Sequence, residues 1–481
     1  MDHPTFPLAA FRTAALSLLT ASILALPTAM AAPVAAAPAQ PDDIRDRLTE
    51  IPGLTVVEEK PTEPGFRYFV LAYTQPADHD DPDGGSFEQR LTLLHRGFDR
   101  PTVLQTSGYG VGTTPSRSEP TRLVDGNQVS TEQRFFGPSR PDPTDWDDLD
   151  IEQAAADHHR IVDAIDAIYT GAWLSTGGSK GGMTSVYHRR FYPDDVNGTV
   201  AYVAPHDNID REDRAYIDFF DTVGDDPACQ QDLEAVQRTA LERRGELVDH
   251  YEGLAADNGW TFDRTIGSSD RAFEMLVLDT AYIFWQYTGM AGCGEVPAAD
   301  APTAEIAAFL DNAVGFEPYT DQGTLPYVPY YYQAVNQLGT PSVPTSHLKG
   351  LLRYKGLYQA RSYLPDELAD VRHDNRAMPD IDRWVRKSGT EMLFVDGEYD
   401  PWSAEPFTPG SAPGQDSHRY VAPGGTHGST IAALSGPDRE AATATVRRWA
   451  GLDGGAAALR DARIPALDGT EPEWVTHRRP L

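Results

Sequence analysis

The segment Gly177-Gly178-Ser179-Lys180-Gly181 lies between the apolar run Ala172-Trp173-Leu174-Ser175 and Met183-Thr184-Ser185-Val186-Tyr187. It reads as a strand, a sharp turn and a helix, with a serine at the apex. Glycines on both sides allow a backbone turn that other residues resist, and such a turn pushes the serine hydroxyl outward. A serine Oγ is a poor nucleophile until a base removes its proton, so the turn acquires chemical meaning only if its partners arrive from elsewhere. A strand feeding a helix also constrains the architecture. Repeated, that step builds a mainly parallel sheet covered by helices on both faces.

The alternation is present on both sides of Ser179. Phe66 to Thr74, Leu91 to His95 and Thr102 to Thr106 are short β-rich runs, the third leading into Ser107-Gly108-Tyr109-Gly110, and Val129 to Phe136 is another. Ile151, Ala154, Ala155, His158, Ile161, Val162, Ile165 and Ile168 then recur at helical spacing. After the turn comes a strand from Gly198 to Val203. From His206 to about Arg383 the pattern fades into charged helical sequence, Asp226 to Ala256, and aromatic clusters at Tyr282 to Tyr287 and Tyr327 to Tyr332. It resumes with strands at Glu391 to Val395 and Arg419 to Ala422 and a closing helix from Glu440 to Ala450. The expected organisation is an α/β core in two parts, 46–205 and 384–481, interrupted by a mainly helical cap over 206–383.

Composition narrows the partners. Lys and Arg number 40 against 72 Asp and Glu, a formal net charge of -32 on 481 residues. Such a field repels phosphate backbones, which argues against nucleic acid, and suits a heavily solvated surface on an exported protein. Arg12 precedes an apolar stretch from Ala14 to Leu26, and Ala29-Met30-Ala31 supplies small residues at a signal peptidase site. The expectation is a signal peptide over 1–31, an Ala/Pro-rich leader over 32–45, and a secreted, extracellular product with no membrane span after cleavage. The two cysteines, Cys229 and Cys293, are expected to pair in that compartment. They cannot form a structural zinc site by themselves and no HExxH occurs, so neither metal nor cofactor is expected.

The α/β-hydrolase template orders its catalytic residues as serine, acid, histidine, the last two on loops after late strands. Asp396-Gly397-Glu398-Tyr399-Asp400-Pro401-Trp402 follows one such strand, and Gly424-Gly425-Thr426-His427 follows the next. His427 would take the Ser179 proton and later return it to the leaving group, while a buried carboxylate fixes the imidazole tautomer. His206 also follows a strand, but it precedes any candidate acid; His158 and His159 fall on a helix and read as packing or surface residues. Asp396 is nearer its strand end than Asp400, and the residues alone leave the two level.

Gly177-Gly178-Ser179-Lys180-Gly181-Gly182, Glu132-Gln133-Arg134-Phe135-Phe136-Gly137-Pro138-Ser139, Asp400-Pro401-Trp402 and Gly424-Gly425-Thr426-His427, in that set, resemble the secreted actinobacterial S37 serine peptidases of the PS-10 tripeptidyl aminopeptidase group. More distantly the segments are similar to the S28 prolyl carboxypeptidase and dipeptidyl peptidase II family. There an aromatic usually follows the serine and a histidine sits within the Glu-x-Arg segment; here Lys180 and Gln133 stand instead. The resemblance implies an α/β-hydrolase fold with a large helical cap. It further implies an exopeptidase that removes tripeptides from free N-termini of peptides or proteins, with proline favoured before the scissile bond. By position it makes Ser179 the nucleophile, Asp400 the acid and His427 the base. The oxyanion hole would use the Lys180 N–H and a second from Tyr109 or Gly110.

An exopeptidase of this kind needs an anchor for the substrate ammonium, and Glu132, Glu398 and Asp207 are the candidates. Pairing of Glu132 with Arg134 or backbone is the competing structural role. Trp402 and the Tyr330-Tyr331-Tyr332 cluster offer walls for proline, although tyrosines in a cap also serve as its core. The other readings are a dipeptidyl or prolyl carboxypeptidase-like enzyme, a lipase or carboxylesterase of the same fold, and an inactive hydrolase-like binding protein; the last would have lost one of the three residues, and none is missing.

Overall fold

The sheet begins with residues that give little sign of it. Leu54–Lys60 (β1) runs as Leu-Thr-Val-Val-Glu-Glu-Lys along the edge of the sheet without regular alternation, its register shifts between Val56 and Glu58, and Val57 faces solvent. Charges and an irregular register on an edge strand discourage pairing with other chains, and they also hide the strand from a periodicity argument. β1 pairs antiparallel with β2 (Arg67–Pro76), which pairs antiparallel with β3 (Ser86–His95). The computed structural model describes residues 43–452, 463–469 and 472–476. The expected signal peptide and most of the leader lie outside the described residues.

Past β3 the sheet becomes parallel. The strands β4 (Thr102–Thr106), β5 (Asn127–Thr131), β6 (Trp173–Gly178), β7 (Thr199–Tyr202), β8 (Met392–Gly397) and β9 (His418–Ala422) complete the order β1-β2-β3-β5-β4-β6-β7-β8-β9. β5 is antiparallel to β3 and parallel to β4, and every later pair is parallel. This mixed sheet with helices on both faces is the α/β-hydrolase fold. Alternate residues of the central strands serve opposite layers: Leu393 and Val395 pack with Val446 and Trp449 of the helix Gly436–Trp449, while Met392 and Phe394 pack with Val186 and Val385. The helix Ile151–Asp166 buries Ile161, Val162 and Ile165 against β1, β2 and β3.

Three boundaries differ from the sequence reading. Ile44 and Leu48, on the helix Ile44–Thr49, are buried against the sheet, so the folded body starts before residue 46. The strand expected over Val129 to Phe136 stops at Thr131, and the remainder is a turn with Phe135 at φ 72°. The helix Ala377–Lys387 falls inside the expected cap, yet Met378, Ile381 and Val385 pack with Met183 and Phe394 on the sheet side. We therefore place the end of the insertion before this helix.

The inserted segment supplies most of a large buried cluster, which Phe135, Leu149 and Tyr399 of the α/β part join. The helix Ser269–Tyr287 is buried from Ala272 to Gln286, as expected of a helix surrounded by others, and Pro227–Glu242, Arg244–Asn258 and Thr303–Ala313 pack around it. Asp279 in its middle is satisfied by the hydroxyls of Tyr319 and Tyr358, each donating at 2.5 Å. Cys229 and Cys293 form a disulfide across 64 residues of chain, joining Pro227–Glu242 to the turn Gly289–Glu295.

Candidate active site

Ser179 follows β6 and precedes the helix Lys180–Phe191, with φ 55° and ψ -129°. A non-glycine residue costs about 1–3 kcal/mol in such a conformation, which the surroundings must over-determine. They do so through close backbone contact. A Cβ on Gly177 would stand 2.3 Å from the Gly181 carbonyl, and one on Gly181 would stand 2.3 Å from the Thr106 oxygen. Ser179 N–H donates to Tyr202 O at 2.9 Å, and Thr106 Oγ1 donates to Gly181 O at 2.7 Å. The helix N-terminus therefore lies directly after the serine, where its free N–H groups favour negative charge.

His427 is buried, and its Nδ1 lies 2.7 Å from Asp400 Oδ2. Asp400 also accepts from Trp402 N at 3.2 Å, a bond that shapes the turn after β8. Nε2 of His427 has no hydrogen-bond partner among the described residues. The histidine is tied to the walls of a narrow cleft: its N–H donates to Gln286 O at 2.8 Å, its carbonyl accepts from Trp474 Nε1 at 2.8 Å, and its ring meets Tyr287 edge-on. Gln286, Tyr287 and Trp474 line that cleft together with Ser179, Lys180, Asp207, Tyr330 and Trp402. A larger cavity on the far side of Gly177 includes none of Ser179, Asp400 and His427.

Rivals for these positions are engaged elsewhere. Asp396 accepts from Arg419 Nε at 2.6 Å. His206 stacks on Phe407 and faces Asp382 at 3.4 Å. His158 is buried between Ala154 O and Thr131 Oγ1, and His159 pairs with Asp195.

The residue after the serine carries the less expected chemistry. Lys180 is 3 % exposed, its Nζ donates to Gly108 O at 2.7 Å, and it sits over the rings of Tyr109 and Phe136 at 5.5 and 5.7 Å. Burial away from water pushes its ammonium down to about 7. The loop it holds is the one beside the serine turn. Within that loop the Tyr109 N–H is already engaged by Ser107 Oγ at 3.2 Å.

The three anchor candidates separate cleanly. Glu132 is fully buried, but Arg90, Val111 N and Ser139 Oγ all donate to it, and it stands outside the cleft. Its partner is Arg90 and not Arg134, which makes a two-pronged contact with Asp157 at 2.7 and 2.8 Å. Glu398 is exposed and accepts from Gly424 N at 2.6 Å. Asp207 alone lines the cleft. Among the tyrosines, Tyr330 reaches the cleft, whereas Tyr331 stacks on Tyr363 within the cap and Tyr332 meets the Trp146 ring of the α/β part at a tilt.

Trp474 went unrecognised in the sequence. Its ring packs on Gly178 and stacks on Tyr202 at 5.6 Å. It sits on the short turn of 3₁₀ helix Glu473–Thr476, past the α-helix Gly436–Trp449 and in sequence with no periodicity, so only its aromatic character in a polar stretch could have marked it.

A family model for the PS-10 peptidase S37 family matches residues 36–464. The chain belongs to the S37 peptidase family. A prolyl tri/tetrapeptidyl aminopeptidase of Streptomyces mobaraensis is 54% identical over 445 residues, covering 92% of each chain. A putative serine protease of Caenorhabditis elegans is 27% identical over 230 residues, 43% of this chain and 42% of that one. Among solved structures, proline iminopeptidase of Mycobacterium smegmatis aligns with a TM-score of 0.37 at 13% identity, over 79% of this S37 chain and 98% of its own.

Proposed function

We propose that this S37 peptidase is a secreted serine exopeptidase that releases tripeptides from free N-termini, with proline favoured at the residue before the scissile bond. The observation that carries the reading is the buried His427–Asp400 pair, at 2.7 Å, bonded through the His427 backbone to Gln286 and Trp474, which line the cleft that holds the strained Ser179 turn. His427 Nε2 takes the Ser179 proton as Oγ attacks the carbonyl, and the imidazolium then protonates the departing amine. Asp400 holds Nδ1–H and so presents Nε2 as the base. Water repeats the sequence on the acyl-enzyme and frees the tripeptide.

The charge that develops on the carbonyl oxygen is met by the Lys180 N–H at the helix start and by the Gly110 N–H. Gly110 is preferred over Tyr109 because the latter amide already donates to Ser107. Trp402, Tyr330 and Tyr287 give the cleft aromatic walls suited to a proline ring. Export is supported by the expected signal sequence and by the disulfide, a bond that persists in oxidising compartments. Among the described residues no helix is long and apolar enough to cross a membrane.

The test compares unblocked Ala-Ala-Pro-p-nitroanilide with Ala-Pro-p-nitroanilide, an N-blocked tripeptide anilide and p-nitrophenyl butyrate. The free tripeptide should have the highest kcat/KM. Preference for the dipeptide would favour a dipeptidyl peptidase, and preference for the ester a carboxylesterase.

A further inference from the structure

Asp207 leaves the end of β7 two residues after Ala204-Pro205 and turns into the cleft that holds Ser179. It is 4 % exposed, and among the described residues its Oδ2 has no hydrogen-bond partner. A buried carboxylate oxygen without a donor is costly, so such an atom in a substrate cleft marks a place where a ligand completes the structure. The neighbouring charges have the same sign: Asp210, Asp213 and Glu405 all act to disfavour its ionisation. Asp210 and Asp213 accept from the amides of Thr340 and Ser342, and the Thr340 amide, shared between Asp210 and Asp207, offsets only part of the cost of burying the Asp207 charge. Gly339, at φ 81°, completes the site from the cap side. A Cβ there would stand 2.3 Å from Asp207 Oδ2, so any side chain at 339 would collide with that oxygen.

We propose that Asp207 is the subsite for the α-ammonium of the substrate, with Asp210, Asp213 and Glu405 supplying a negative field behind it and Gly339 leaving room for its Oδ2. The proposal rests on the exopeptidase reading above and adds the group that measures the peptide from its free end. An α-ammonium has three N–H donors on a compact cation, which suits one unpartnered oxygen at the bottom of a narrow cleft. Burial and the nearby carboxylates push the Asp207 carboxyl up to about 8. Without a cation the side chain holds a proton near neutral pH, and the arriving ammonium takes over the role of that proton. A substrate whose amine is blocked forfeits the interaction and leaves the oxygen unsatisfied.

Two substrates separate the claims: Ala-Ala-Pro-p-nitroanilide and N-propanoyl-Ala-Pro-p-nitroanilide, which keeps the same backbone and methyl group but lacks the amine. Wild type should favour the first by about 10²-fold in kcat/KM, the scale for truncating one partner of a buried charged pair. Asp207→Asn, close in shape to the protonated acid, should reduce that ratio to near 1 by loss on the amine substrate alone. Labelling of Ser179 by a phosphonyl fluoride at the wild-type rate verifies that the variant is folded. A wild type that does not distinguish the substrates sinks the exopeptidase reading itself. If wild type discriminates and Asp207→Asn discriminates equally, or loses both substrates in parallel, the anchor lies elsewhere and this proposal is overturned while that reading stands. Should Asp207→Asn fail to fold, Gly339→Ser, which crowds the same oxygen, must lower the ratio as well; an unchanged ratio refutes the proposal.

Discussion

Replacing Lys180 by methionine tests the electrostatics of the serine turn directly. The lysine ammonium is buried against Gly108 O and two aromatic rings, and loss of hydration lowers it from 10.5 to about 7 in the fold. The unfolded chain therefore binds this proton more tightly than the folded chain. The penalty is fully present below pH 7 and is relieved as pH rises toward 10.5. Integrating that linkage from pH 6 to pH 9 gives wild type about 3 kcal/mol of stability from this one group. Methionine has a similar length and no titration, so it lacks the gain, whatever its constant loss from the missing bond to Gly108. The difference in unfolding free energy, wild type minus Lys180→Met, should rise by that amount between the two pH values. Other titrating groups largely cancel in the difference. Urea unfolding followed by tryptophan fluorescence at pH 6, 7, 8 and 9 measures it. A difference that stays constant over this range would mean that the lysine keeps its proton throughout, and the burial argument would be wrong.

Ser179→Ala and His427→Ala should each lower kcat by about 10⁴ to 10⁶, and Asp400→Asn by about 10⁴, with the fold intact by circular dichroism. Asp396→Asn should cost far less activity, because its partner is Arg419; a larger loss than for Asp400→Asn would reverse the acid assignment. Glu132→Gln should cost about 2–4 kcal/mol in urea unfolding through its contacts with Arg90, Val111 and Ser139, and should leave the preference for a free amine unchanged. Collapse of that preference would make Glu132 the anchor. Removing the disulfide in Cys229→Ser/Cys293→Ser should cost up to about 4 kcal/mol on the chain-entropy model for a 64-residue loop. An unchanged unfolding midpoint would show that the cap core alone holds the segment.

The parts of the site that were legible in the sequence share one property: they sit next to regular elements. Ser179 is legible because strand and helix periodicity flank it, and Asp400 and His427 because each follows a strand in the required order. Even so, the choice of Asp400 over Asp396 needed a family resemblance, since both lie in one turn and only the hydrogen bond to His427 separates them. Trp474 was illegible because its role comes from contact with Gly178 and His427, which are remote in sequence. The same distance hid the edge strand β1 and the sheet-side helix Ala377–Lys387, whose places depend on what they pack against.

From its residues alone this chain determined the alternating α/β core and pointed to an insertion and an order of candidate reactive groups, because periodicity and turn chemistry are local properties of the backbone. Tertiary structure decided what each charged residue is for. Glu132, Glu398 and Asp207 are equivalent as letters, yet one is saturated by Arg90, one lies in solvent and one reaches the cleft with an oxygen still free. A carboxylate's role depends on which donors reach it and how much water remains. Both are set by segments apart in sequence, Arg90 for Glu132 and Gly339 for Asp207, that only folding brings together.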